Sequence, residues 1–167
     1  FKGTQKRTAK EIAGAIDDIG GQLNAFTGRD CTCYYAKVLM NHLDVAVDVL
    51  ADMLFDSLFD EKDMMLEKNV ISEEINMYED SPEELVHDIL MQNAWQDNPL
   101  GYSILGTEKV LKKISREDIK DYLERYYVPE NAVVSVVGNF DREHLLELLQ
   151  EKFGGWERGS KPLEEMH

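Results

Sequence analysis

The stretch from residue 61 to residue 79 most constrains the fold, because it combines the periodicity of a long helix with two misplaced charges. At 100° per residue, its apolar side chains gather on one broad face of a helix. The members of that face are Met64, Val70, Ile71, Ile75, Met77 and Tyr78. Glu67 and Glu74 lie at its centre, so they point the same way, roughly 10 Å apart along the helix axis.

Two carboxylates on an apolar helix face require a positively charged partner. A buried carboxylate loses hydration, which costs several kcal/mol unless another group replaces the water. A metal ion, an arginine or lysine from a neighbouring element, or a bound cationic substrate would each serve. Spacing alone favours the structural ion pair, because such pairs are commoner than metal sites.

Composition and charge restrict the class of protein. The chain has 167 residues, of which 43% are hydrophobic and 31% charged, as expected for one globular domain with a real core. Its 18 basic and 33 acidic residues give a net charge of −15, which argues against a nucleic-acid partner and either favours basic peptides or simply confers solubility. No apolar run approaches the ~20 residues that a membrane span needs, so no membrane partner is expected.

The first part of the chain predicts a helix followed by a hairpin. Thr8 and Glu11 form the capping-box pattern of a helix start, and Gly20 and Gly21 end that helix. Residues 22–27 and 31–39 then have the composition of two strands around a Gly-Arg-Asp turn.

The remainder predicts mostly helices. An amphipathic helix covers residues 43–54, a capping box at Ser81 opens another, and further helices follow Ser115 and Asp141. The short apolar run from Ala132 to Gly138 predicts a buried strand. The fold class is therefore α+β, with helices packed on one antiparallel sheet. Because three strands make a small sheet for so many helices, we expect one or two further strands before Phe1.

The chain lacks a complete motif for the common hydrolytic chemistries. Its histidines show neither H-x-x-x-H nor H-E-x-x-H spacing, so no three-ligand zinc site is recognisable. These histidines are His42, His87, His144 and His167. There is also no G-x-S-x-G and no phosphate-binding P-loop.

Eight short blocks, in order between Phe1 and about Phe153, form a specific pattern as a set. They are Phe1-Lys-Gly-Thr4, Ala9-Lys-Glu-Ile12, Gly20-Gly-Gln-Leu-Asn-Ala-Phe-Thr27, Tyr34-Tyr-Ala-Lys37, Leu50-Ala-Asp-Met53, Val70-Ile-Ser-Glu-Glu74, Pro99-Leu-Gly101 and Ile104-Leu-Gly106. In these blocks the chain resembles the pitrilysin–insulinase family of zinc metallopeptidases. It is most similar to bacterial proteins related to the mitochondrial processing peptidase β subunit.

The resemblance implies roles for the two carboxylates. In that family an H-x-x-E-H motif supplies two zinc ligands and the general base, and it immediately precedes a segment like Phe1-Lys-Gly-Thr4. A glutamate from a later helix is the third ligand, and Glu74 matches it. Glu67 matches a second acidic residue that supports catalysis. The motif itself is not in this chain, so the chain is expected to be inactive alone and to hold Zn²⁺ only weakly.

The same resemblance assigns a peptide-binding strand. Asn24, Ala25, Phe26 and Thr27 match the family's substrate-pairing edge strand, where main-chain hydrogen bonds would hold a peptide whatever its side chains. The alternative is that Asn24 and Thr27 are merely solvent-facing strand residues.

The function implied is that of a zinc-dependent metalloendopeptidase acting on peptides or small proteins, and the rival is a non-catalytic peptide-binding or assembly subunit of the same family. Residues 1–153 would form the first half of a pitrilysin-type, processing-peptidase-like domain, and residues 154–167 a tail or linker. A second half-domain or partner subunit would close the chamber. A cytoplasmic location is expected, because the most similar proteins are bacterial.

The segment after the long helix suggests a substrate preference. Glu79, Asp80, Glu83 and Glu84 lie on and beside a helix N-terminus. Part of the reason is local, because acidic residues there complement the helix dipole by ~0.3–1 kcal/mol each, and this local role is the favoured interpretation. The alternative is that their field attracts lysine or arginine side chains of a peptide substrate.

Overall fold

A computed structural model describes residues 1–159 of the chain. Within these residues there are seven α-helices, one two-stranded sheet and three short 3₁₀ turns. The elements are α1 (Ala9–Asp17), β1 (Gln22–Thr27), β2 (Thr32–Lys37), α2 (Leu43–Phe55), α3 (Glu61–Glu79), α4 (Pro82–Ala94), α5 (Glu108–Leu111), α6 (Arg116–Tyr126) and α7 (Arg142–Phe153), with 3₁₀ turns at Met40–His42, Pro99–Gly101 and Pro129–Asn131. The α+β class is confirmed. Of the expected tail at 154–167, residues 160–167 lie outside the described part.

The chain divides into two compact units. Unit 1 comprises Phe1–Ala25, Tyr34–Phe59 and residues 117–159 of the described chain. Unit 2 comprises the hairpin tip, Phe26–Cys33, and the segment Asp60–Arg116, which contains α3, α4 and α5.

Unit 1 has an apolar core between α1 and α2. Ile12, Ile16 and Val49 are at most 1% exposed, and Met53 packs with them. Burial of side chains of this size contributes about 1.5–3 kcal/mol each. The predicted capping box is confirmed, because the Thr8 side chain accepts from the backbone of Glu11 and the Glu11 carboxylate accepts from the backbone of Thr8.

A network of charges fixes the N-terminal segment to α2 within unit 1. The Asp52 carboxylate is buried, and its Oδ2 accepts from Thr4 Oγ1 at 2.9 Å and from Arg7 Nη1 at 2.6 Å. Arg7 also donates to Asp48, which Lys152 of α7 pairs with at 2.9 Å. The hydrogen bond that Arg7 donates to Asp52 is the largest of the effects that raise the pKa of Arg7.

The predicted hairpin is confirmed. The Gly28 backbone N–H donates to the Cys31 carbonyl at 2.7 Å, and strands of six residues extend from this turn. Because hydrogen-bonded and outward-facing residues alternate along an antiparallel strand, Leu23, Ala25 and Thr27 direct their backbone groups away from β2. Within residues 1–159 no named strand pairs with this outer edge of β1.

Unit 2 is built from α3 packed against α4 and α5, with the 3₁₀ turn at Pro99–Gly101 against α4. Ile75 of α3 is buried at 4% exposure. Gly101 is also buried, and a Cβ at this position would lie 2.5 Å from the Trp95 carbonyl oxygen. The turn therefore approaches the end of α4 more closely than any residue with a side chain would allow.

Two local predictions are wrong. Residues 132–138 form no strand, and Val133 and Val137 are 94% and 96% exposed, because no strand among residues 1–159 lies beside them to complete a hydrogen-bonded ladder. Helix α4 begins after Ser81 as expected, with Pro82 at its first position, but the Ser81 side chain makes no capping hydrogen bond. None of the helices in the described residues is long and apolar enough to cross a membrane.

Candidate functional site

Helix α3 holds the two singled-out carboxylates. Asp60 caps its N-terminus by accepting from the Lys62 backbone, and the helix runs without interruption through both residues. Glu74 is exposed, whereas Glu67 is half-buried and its Oε2 is shielded from solvent. Their spacing of seven residues places them on the same face, roughly 10 Å apart along the axis.

The expected burial of this face is found only in part, because three of its six apolar side chains are half-buried and two are exposed. Val70 and Met77 are 49% and 72% exposed, and Ile75 alone on the predicted apolar face is buried. The other face makes polar contacts instead, because Lys68 donates to the Ile114 carbonyl and Ser72 Oγ donates to a carboxylate oxygen of α5 at 3.0 Å. On the carboxylate-bearing face, Glu74 itself is exposed.

The described residues do not form a zinc site by themselves. No group of three histidine, cysteine or acidic side chains close enough to hold a metal occurs within residues 1–159. Zinc in proteins is normally held by three or four such ligands. Glu74 supplies one exposed carboxylate, so residues 1–159 fit at most one part of a metal centre.

The four residues expected to bind a peptide lie in β1, at the edge of the two-stranded sheet. Asn24, Phe26 and Thr27 are exposed, and the backbone of Ala25 faces away from β2. The Ala25 N–H is engaged by the Asn24 side-chain oxygen at 2.8 Å. An incoming strand would have to replace this contact, which a rotation of the Asn24 side chain permits.

The sequence analysis missed a buried ion pair in unit 2. Arg29, in the hairpin turn, donates through Nη2 to Asp88 Oδ1 at 2.9 Å and through Nη1 to the Leu100 and Tyr102 carbonyls. Asp88 of α4 is 7% exposed. The sequence did contain a signal for this pair. Asp88 lies three residues after Leu85, which is half-buried, and an acidic side chain on the packed side of a helix requires a positively charged partner.

The acidic run begins where α3 ends. Glu79, Asp80, Glu83 and Glu84 are all exposed. Tyr78 Oη donates to the Glu84 carbonyl at 3.0 Å and so connects α3 to the start of α4. Desolvation, followed by the charges of Asp88 and Glu84, raises the pKa of Tyr78.

Comparisons with known proteins identify the class. Residues 1–108 match the insulinase family, peptidase family M16, and residues 113–165 match the family described as the peptidase M16 inactive domain. The chain is 47% identical over 161 residues to an uncharacterized zinc protease, YmxG, of Bacillus subtilis, covering 96% of this chain and 39% of that protein. It is 41% identical over 154 residues to an uncharacterized zinc protease of Mycobacterium leprae, covering 92% of this chain and 35% of that protein.

Solved structures of peptidases and related domains share the fold of this chain. A protease from Helicobacter pylori superposes with a TM-score of 0.93 at 25% identity, covering all of this chain and 41% of that one. A peptidase M16 inactive domain protein from Pseudomonas fluorescens superposes with a TM-score of 0.88 at 16% identity, over 99% of this chain and 40% of that one, and shows likeness of fold alone.

The fold is that of part of a pitrilysin-type α+β peptidase domain, and the class is that of the zinc metallopeptidases. Within it, the chain belongs to the insulinase family, peptidase family M16. The chain spans only 39% and 35% of the two curated relatives described above. Neither comparison tests the roles expected for Glu67, Glu74 or residues 24–27, which remain predictions.

Proposed function

We propose that the full-length protein carrying this chain is a zinc-dependent metalloendopeptidase of peptides or small proteins. The observation that supports this most directly is Glu74, an exposed carboxylate on α3 in a chain that belongs to a zinc protease family. Glu74 would be one metal ligand. The other ligands and the general base would come from an H-x-x-E-H motif elsewhere in the protein.

Glu67 would support catalysis without binding the metal. It lies two turns before Glu74 on the same face, and its shielded Oε2 suits a carboxylate that acts by hydrogen bonding or by its charge. Asn24, Ala25, Phe26 and Thr27 would hold the peptide as an added strand on the outer edge of β1. Main-chain pairing of this kind binds peptides of varied sequence, which suits an endopeptidase.

The experiment is substitution in the full-length protein. Glu74→Gln keeps the shape of the side chain but removes the anionic ligand, so zinc content and peptide hydrolysis should both fall by at least tenfold. Glu67→Gln should reduce kcat more than zinc content. Glu73→Gln is the matched control, because Glu73 is an exposed neighbour on the same helix and should have no effect on either quantity. Wild-type zinc content and activity in Glu74→Gln would refute the ligand assignment.

We further propose a preference for basic peptides, supported by the exposed acidic run after α3 and by the net charge of −15. Replacement of Glu79, Asp80, Glu83 and Glu84 by Gln or Asn should lower cleavage beside Lys or Arg in a peptide library. The preference should also weaken with salt, because exposed charges are screened over ~8–10 Å at physiological ionic strength. Equal cleavage of acidic and basic peptides at all salt concentrations would leave only helix-dipole complementation.

The second candidate is a non-catalytic peptide-binding or assembly subunit, and the match of residues 113–165 to the inactive domain of the family favours it. Metal analysis of the full-length protein separates the two, because only the enzyme requires stoichiometric zinc and hydrolyses peptides. In either case a second half-domain or partner subunit would close the chamber. We also propose a cytoplasmic location, which subcellular fractionation checks.

A further inference from the structure

We propose that Arg29 is a positioning residue. It holds the end of β1, the strand proposed to pair with the peptide, on helix α4. Helix α4 also packs against α3, the helix that bears Glu74. This inference rests on the proposed function, in which β1 binds the peptide and Glu74 binds the metal. It adds Arg29 and Asp88 to the residues on which peptide binding depends, although neither residue need touch the peptide.

Three acceptors surround the Arg29 guanidinium. The Asp88 carboxylate accepts from Nη2 at 2.9 Å, and the Leu100 carbonyl accepts from Nη1 at 2.8 Å together with the Tyr102 carbonyl. A guanidinium has five N–H donors in a rigid planar fork, so it can bond to separated acceptors at once. A lysine ammonium has three donors, but all are on one nitrogen, so it would not reach the separated acceptors in the same way.

The acceptors are themselves held in place. The two carbonyls flank Gly101, whose missing side chain lets the Pro99–Gly101 turn press against the end of α4. Asp88 lies on the packed side of α4 and is almost fully buried. Helix α4 and the segment that follows it therefore position the three acceptors, which together form the Arg29 cradle. The hydrogen bonds of Arg29 to this cradle hold the hairpin tip on α4.

Helix α4 also supports α3. The two helices pack against each other, and the Tyr78 hydroxyl of α3 bonds to the Glu84 carbonyl of α4. Tyr78 follows Glu74 by one helical turn on the same face of α3. One helix thus anchors both the strand end at Thr27 and the segment that bears Glu74.

This shared support matters for peptide hydrolysis. A peptide added to β1 is useful only if the scissile bond is presented to the metal in one geometry, and small misplacements of reacting groups reduce rates strongly. Strand β1 leads directly into the turn that Arg29 anchors. Release of Arg29 would let the tip and the adjacent end of β1 fluctuate, which weakens pairing with any peptide that extends along that end.

The test uses two substitutions in the full-length protein: Arg29→Lys changes the donor, and Asp88→Asn changes one of its acceptors. Both change the size of the side chain little. Arg158→Lys is the matched control, because Arg158 is 88% exposed and pairs with Glu130 at the surface. Three quantities are measured: hydrogen–deuterium exchange of residues 22–37, zinc content, and the Kd and KM of fluorescent peptides of increasing length.

We expect both Arg29→Lys and Asp88→Asn to raise exchange at the hairpin tip while zinc content stays at the wild-type level. The Kd and KM of long peptides should rise on the order of tenfold, with a smaller change for the shortest peptides and for kcat. Arg158→Lys should change none of these quantities. A merely structural ion pair would lower stability without this dependence on peptide length.

Two results would overturn the proposal: an unchanged exchange pattern at the tip, or a loosened tip with unchanged affinity for long peptides. Failure of the proposed function gives a different result. In that case the wild-type protein hydrolyses no peptide, yet the exchange and Kd measurements still decide whether Arg29 positions a peptide-binding edge.

Discussion

The two units of the chain are stabilised by different interactions. In unit 1, side chains of α1 and α2 are sealed from water, and Ile16 and Val49 have no exposed surface. Among the described residues of unit 2, Ile75 is the one large apolar side chain that is buried. Polar contacts of Arg29, Lys68 and Ser72 join the elements of this unit.

The two units therefore differ in where their apolar side chains lie: these are buried in a core in unit 1 and largely exposed in unit 2. Apolar burial is the dominant favourable term in folding, so unit 1 contains the interactions on which stability should depend most. Unit 2 exposes apolar side chains on α3 and α4, including Met65, Leu66 and Leu90 at 62–69%. The candidate metal ligand Glu74 lies in the same unit.

The largest expected effect is on stability of unit 1. Ile16→Ala should lower the free energy of unfolding by about 2–5 kcal/mol, because it leaves a cavity at a position with no exposed surface. Val70→Ala on α3 is the counterpart in unit 2. It should change stability by less than about 0.5 kcal/mol, since Val70 is 49% exposed. Urea unfolding measures both, and similar losses would mean that the two units do not differ in this way.

A smaller effect is expected from Gly101→Ala in unit 2. The new methyl group would lie 2.5 Å from the Trp95 carbonyl oxygen, so the turn must move away from α4. Overpacking of this kind costs about 1–3 kcal/mol. Gly155→Ala is the control, because nothing lies within 4 Å of a Cβ there. Thermal unfolding and hydrogen exchange at residues 95–102 check the prediction, and indistinguishable behaviour of the two variants would contradict it.

The smallest expected effect is a pH-dependent contact in unit 1. His144 of α7 pairs with Asp44 of α2 at 2.7 Å, and this hydrogen bond raises the pKa of His144 above its usual 6.5. The charges of Asp141 and Glu147 add to the shift. The folded state therefore binds the proton more tightly than the unfolded state, and the stabilisation is fully present below about pH 6.5.

That stabilisation should disappear as the pH rises through the folded-state pKa of His144. His144→Gln should thus lower the Tm at pH 5.5 and have a smaller effect at pH 8.5. High salt should reduce the difference at pH 5.5, because both side chains are exposed. An equal loss at the two pH values would show that the charge of His144 does not contribute.

Local sequence signals predicted most of the elements and none of the long-range polar contacts. The start of α1 at Thr8, the extent of α3 and the cap of α7 at Asp141 are confirmed, since each depends on neighbouring residues. The strand predicted at residues 132–138 is wrong because a strand requires a partner distant in sequence. The Arg29–Asp88 pair joins residues 59 apart, a separation that no helix or turn pattern encodes.

The candidate site shows the same division. The spacing of Glu67 and Glu74 follows from the period of an α-helix, so their common face was determined by sequence alone. Which face of α3 is accessible was decided by tertiary structure. Lys68 and Ser72, on the predicted polar side, contact other parts of unit 2, whereas Glu74, on the predicted apolar side, is exposed. Periodicity gives the relative direction of side chains on one helix, whereas exposure depends on what packs against that helix.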